Sequence, residues 1–130
     1  MTLALLMLLL TSPQVSAGNF IFTSSLPPKM IQIEAIVDFG PAGKPALHKQ
    51  IIIREGTTPK EALKQILPVE SGAACCHPAE VKGIGGVSID PMKNRWWKLR
   101  INGNTRHASP HKSHLRTGDV MEWTYFEDRQ

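Results

Sequence analysis

Residues 86–126, GVSIDPMKNRWWKLRINGNTRHASPHKSHLRTGDVMEWTYF, decide the fold. One predicted strand runs from Arg95 to Asn102 and ends in Asn-Gly, and a second runs from Val120 to Phe126 after Gly118-Asp119. Side chains on a strand point alternately to the two faces of the sheet. The residues of the first strand that we expect to face the core are Trp97, Leu99 and Ile101.

The opposite face of the same strand is the candidate ligand-binding surface. We expect Trp96, Lys98 and Arg100 to share this face as ligand-binding residues. An aromatic ring amid cations is typical of contact surfaces. The alternative is that the ring packs across the stems of the two cations and binds nothing.

Upstream, the sequence predicts a helix with a well-defined start. Thr58 can cap it, Pro59 suits the first helical position, and Glu61 completes a capping box. Pro68 ends the helix after about three turns. The apolar stripe that must pack against other elements is Ala62, Leu63, Ile66 and Leu67.

Three further segments have the composition of strands. Met30 to Phe39 alternates apolar and polar residues, and Lys49 to Arg54 is rich in isoleucine. Val81 to Ile89 contains three glycines and predicts a short or bulged strand, after an irregular loop from Glu70 to Val81. The order predicts an α+β fold, a mixed sheet of about five strands with one helix packed across one face.

The motifs and their order resemble a family of unknown function that shares the C-terminal domain of transcobalamin and intrinsic factor. The residues that carry the resemblance are Gly56-Thr57-Thr58 before a helix with Ala62-Leu63, Trp96-Trp97 before Asn102-Gly103, and Gly118-Asp119 before Trp123. The resemblance implies a β-grasp (ubiquitin-like) fold over residues 30–130. It also makes cobalamin a cofactor to test. In those carriers cobalamin lies between this domain and a helical barrel that these 130 residues do not contain.

The N-terminal residues predict export. Leu3 to Leu10 is a continuous apolar run, and Val15-Ser16-Ala17 has the small residues that precede a signal-peptidase cut. We therefore expect a signal peptide at 1–17 and a lead-in segment at 18–29. The alternatives for the apolar run are a buried N-terminal helix and an uncleaved anchor. The predicted location is secreted or periplasmic, with no membrane contact after cleavage.

The distribution of charge along the chain indicates which class of partner the protein can bind. The chain has a formal net charge of +4, and its cations concentrate between Pro91 and Gly118, where no acidic residue occurs. Such a patch can bind nucleic acid. Because an exported protein rarely encounters nucleic acid, we predict no nucleic-acid partner. We expect the basic residues to form either a solvated face or a surface that binds an acidic protein partner or small ligand.

The two cysteines, Cys75 and Cys76, are adjacent, so they cannot form an ordinary disulfide across a loop. Together with His77 they form a candidate copper or zinc site, or a redox site. The alternatives are a pair of free or strained thiols and an intermolecular disulfide. The histidines of the later loop are interpreted as surface residues rather than a metal site: His107, His111 and His114. No residues suggest an assembled catalytic set, and we predict that the protein is not an enzyme.

Overall fold

The computed structural model describes residues 26–72 and 81–129. Strands β1 (Met30–Asp38) and β2 (Leu47–Arg54) form an antiparallel hairpin whose connection contains a 3₁₀ turn at Gly40–Ala42. Helix α1 (Pro59–Lys64) follows. The remaining strands are β3 (Val69–Glu70), β4 (Gly83–Ile84), β5 (Val87–Ser88), β6 (Arg95–Ile101) and β7 (Val120–Glu127).

The strands form two sheets. The main sheet has the order β2-β1-β7-β6, with β1 and β7 parallel and the other neighbours antiparallel. The small sheet has the order β3-β4-β5. Within the described residues, this mixed sheet with one α-helix confirms the predicted α+β class.

Two details of the prediction were wrong. The segment Val81–Ile89 is a hairpin rather than one bulged strand, because Gly85 and Gly86 both adopt positive φ angles, 58° and 84°, and reverse the chain. Strand β3 begins just before the predicted irregular loop. Two-residue strands such as Val69–Glu70 are too short to show a period in the sequence.

Helix α1 begins as predicted and ends earlier. The Thr58 side chain accepts a hydrogen bond from the Glu61 amide at 3.3 Å, and Pro59 occupies the first turn. The regular helix has six residues, and tighter turns carry the chain on to Pro68. Leu63 is fully buried and Ile66 is partly buried against the core, so the predicted stripe does face the sheet.

The core lies between the main sheet and the layer formed by α1 and the small sheet. The inward residues of β1 are buried, and Trp123 and Met121 of β7 join them. Trp97 packs edge-on against Phe39, with ring centroids 5.7 Å apart, and its indole donates to the Val87 carbonyl at 2.9 Å. These contacts tie β6 to the small sheet.

Several predicted features lie outside the described residues. These are the signal peptide at 1–17, the lead-in segment as far as residue 25, and the loop with Cys75, Cys76 and His77. Within the described ranges, no helix is long and apolar enough to cross a membrane.

Candidate functional site

Strand β6 places the three predicted ligand-binding residues on the outer face of the main sheet. Trp96 lies opposite Phe126 of β7, Lys98 opposite Thr124, and Arg100 opposite Glu122. The alternate residues of β6 face inward, where Leu99 is buried. The predicted grouping of Trp96, Lys98 and Arg100 on one face is therefore correct, and their role in binding stays a prediction.

Trp96 is half-buried, and local hydrogen bonds fix its ring. Its Nε1 donates to the Oδ1 of Asn94 at 2.7 Å. The Asn94 amide group in turn donates to the Asp128 carbonyl at 2.6 Å. Asn94 adopts a left-handed conformation, φ 55°, at the end of the 3₁₀ turn that precedes β6. Because asparagine tolerates this conformation better than most residues, the turn and the ring orientation are linked.

Lys98 is a cation of this face that forms no ion pair within the described residues. Its Nζ lies 4.6 Å from the centroid of the Phe126 ring, which is a favourable cation–π position. No carboxylate lies within ion-pair distance of Lys98 among residues 26–72 and 81–129. The ring it covers belongs to a residue that the sequence analysis did not single out. The alternation of β7, with Trp123 and Tyr125 inward, is the signal that places Phe126 outward.

Arg100 differs from Lys98 because its charge is compensated. Its Nη1 lies 3.2 Å from the Oε1 of Glu122, in a half-exposed pair. Across the sheet, His48 pairs with Glu34, and Gln32 donates to Gln50 at 2.6 Å. These polar groups of the outer face satisfy one another, whereas Met30 and Ile52 are exposed apolar residues on the same face. The corner formed by Trp96, Lys98 and Phe126 combines two half-buried aromatic rings with a cation that lies over one of them, and we name it the aromatic corner.

The backbone of β6 beside the aromatic corner can also form hydrogen bonds with a partner. In the described part of the chain, β6 is an edge strand with β7 as its one neighbour in the sheet. Local bridges close its two ends, Asp90 with Arg95 and Ile101 with Asn104. Among residues 26–72 and 81–129, nothing pairs with the outward amide and carbonyl groups of the stretch between these bridges, and such groups can accept an added strand.

The basic residues between 91 and 118 differ in whether a carboxylate compensates them. Arg95 and Arg100 pair with Glu127 and Glu122, respectively, whereas Arg106 and Arg116 line a separate basin beyond the end of β6. His107 and His114 also line that basin. Among the residues that the structure describes, no group of three or more histidine, cysteine or acidic side chains could hold a metal ion.

The fold has counterparts among solved structures. A structure of haptocorrin in complex with Cbi superposes with a TM-score of 0.62 at 11% identity, over 78% of this chain and 26% of that one. A protein from Ruminococcus gnavus ATCC 29149, described as a "putative metal binding protein", superposes with a TM-score of 0.54 at 19% identity, over 76% of this chain and 99% of that one.

No family model matches the sequence, and no curated protein does. The chain spans about a quarter of the haptocorrin chain that it matches. At these identities, the likeness concerns the fold alone. Haptocorrin belongs to the cobalamin-binding transcobalamin family, so the predicted resemblance to the C-terminal domain of that family is confirmed at the level of the fold.

Proposed function

We propose that this protein is an exported, non-catalytic binding module that accepts an extended segment of a partner protein along β6. The observation that carries the proposal is the free edge of β6 beside the aromatic corner. Strand addition derives affinity from main-chain hydrogen bonds and selectivity from the side chains beside the edge.

The aromatic corner indicates the chemistry of the segment. The Trp96 ring offers rigid apolar area, and its fixed orientation lowers the entropy lost on binding. Lys98 carries a charge that no described carboxylate neutralises, so it favours an acidic side chain on the partner. We therefore expect a segment that combines an apolar residue with a carboxylate. Arg100 contributes less, because Glu122 already holds it.

Photocrosslinking in the native host tests this function. A photoreactive residue at position 100, where Arg100 contributes less to recognition, should crosslink to a partner much more efficiently than one at position 52, on the opposite edge strand, where Ile52 is 64% exposed. Trp96→Ala should abolish the crosslink and leave the unfolding transition intact. Bound partner should also slow amide exchange in β6. Equal crosslinking at both positions, or unchanged exchange in β6, would contradict strand addition.

Metal or redox function is the second candidate, and the likeness to the Ruminococcus gnavus protein favours it. The candidate ligands are Cys75, Cys76 and His77, whose thiolates and imidazole suit copper or zinc. Metal analysis of protein purified without a histidine tag tests this alternative. Stoichiometric copper or zinc that is lost in a Cys75→Ser, Cys76→Ser double variant would support it, and metal-free protein would not.

A further inference from the structure

A basin with a volume of about 380 Å³ lies where β6 ends and the chain turns back toward β7. It is at the other end of β6 from the aromatic corner. Asn102 lies six positions after Trp96, which corresponds to roughly 20 Å along a strand. The residues that matter most for its chemistry are Asn102, Arg106, His107, Ser113, His114 and Arg116.

The basin has an excess of positive charge. Arg106 and Arg116 are exposed, and neither forms an ion pair within residues 26–72 and 81–129. Asp119 is the single carboxylate among the described lining residues, and both of its oxygens accept hydrogen bonds. Its Oδ1 accepts from the Asn102 amide group at 3.0 Å, and its Oδ2 accepts from the Arg116 backbone amide at 2.8 Å. Asp119 therefore shapes the wall and leaves both guanidinium groups for a ligand.

Hydrogen bonds hold the walls of the basin in place. The Nδ1 of His114 donates to the Gly56 carbonyl at 2.8 Å, since a carbonyl can only accept. The adjacent Leu115 is fully buried, and its amide donates to the Thr57 carbonyl at 3.0 Å. The Ser113 hydroxyl donates to the His107 carbonyl at 2.8 Å. A ligand that enters this basin meets a surface that is already ordered.

We propose that this basin binds a phosphate group. Two guanidinium groups suit a phosphate dianion, because each can donate two parallel hydrogen bonds to its oxygens. The basin is also wider than a single ion requires, and half-buried Ile101 and Ala108 add apolar wall. The source is either free phosphate or the phosphate monoester of a small organic molecule. This site is separate from the proposed strand-addition surface and does not depend on it.

A nuclear magnetic resonance titration with inorganic phosphate, at constant ionic strength set with sodium chloride, tests the proposal. We expect saturable shifts of backbone amides in residues 102–119 in the wild-type protein. Arg106→Gln and Arg116→Gln should each weaken binding by at least about tenfold, since each removes charge-assisted hydrogen bonds. Lys49→Gln is the matched control. It removes one positive charge from exposed β2, outside the basin, and should change affinity by less than about twofold.

A parallel titration with glycerol phosphate distinguishes the two sources. Tighter binding of the monoester than of inorganic phosphate assigns the ligand as an organic phosphate, and equal or weaker binding assigns it as the free ion. Absence of saturable shifts with both probes overturns the proposal. Weakening by Lys49→Gln as large as that by Arg116→Gln also overturns it, because the binding would then follow net charge rather than the basin. Unfolding transitions of the three variants verify that each is folded.

Discussion

Replacing Leu63 by alanine should lower the free energy of unfolding by about 2–5 kcal/mol. The side chain is fully buried between α1 and the main sheet. The substitution removes three carbon atoms, which at about 0.8 kcal/mol each amounts to roughly 2.4 kcal/mol of lost transfer free energy. The cavity that remains adds to this loss. A helix of six residues has little stability of its own, so α1 depends on this contact.

Denaturant unfolding followed by tryptophan fluorescence measures the effect, because Trp123 is buried and reports the loss of the core. Leu26→Ala is the matched control, since it makes the same chemical change at a side chain that is 83% exposed. The control should change stability by less than about 0.5 kcal/mol. If Leu63→Ala cost no more than Leu26→Ala, the placement of α1 against the sheet would be refuted.

Three further predictions concern other parts of the chain. Burial raises the pKa of Tyr125 in the folded protein. The stabilisation that the neutral phenol contributes is therefore present below the pKa of the unfolded state, about 10, and is lost as the pH rises through the pKa of the folded state. As the pH becomes alkaline, the free energy of unfolding of the Tyr125→Phe variant should therefore fall less than that of the wild-type protein. Denaturant titrations at a series of pH values measure this difference. Replacing Cys75 and Cys76 with serine should leave thermal unfolding nearly unchanged, whereas a disulfide across a long loop would be worth about 2–5 kcal/mol. Calorimetry with cobalamin should give a dissociation constant weaker than about 1 μM, and tighter binding would identify a small carrier.

The fold was largely predictable because its long elements have clear periods. The alternation of Ile31, Ile33 and Val37 fixed the inner face of β1, and the cap at Thr58 fixed the start of α1. The small sheet was missed because two-residue strands have no period to detect. Its hairpin depends on the backbone conformations of Gly85 and Gly86, which the sequence alone does not reveal.

The candidate site was predictable only in part. Alternation along β6 correctly grouped Trp96 with Lys98 and Arg100. It could not show that Glu122, distant in sequence, compensates Arg100, while Lys98 covers Phe126. These differences arise from the register between β6 and β7. The basin could not be predicted from the sequence, because a loop of irregular structure places Arg106 and Arg116 in its lining.

The position of β7 has a consequence for how the chain can fold during synthesis. Strand β7 lies in the middle of the main sheet, parallel to β1, although β1 comes much earlier in the chain. While a ribosome still holds Val120–Glu127, the β1–β2 hairpin and β6 have no strand between them. The main sheet must therefore remain incomplete until β7 has left the ribosome, and a stop codon just before Val120 would release a hairpin and a strand that share no backbone hydrogen bonds through β7.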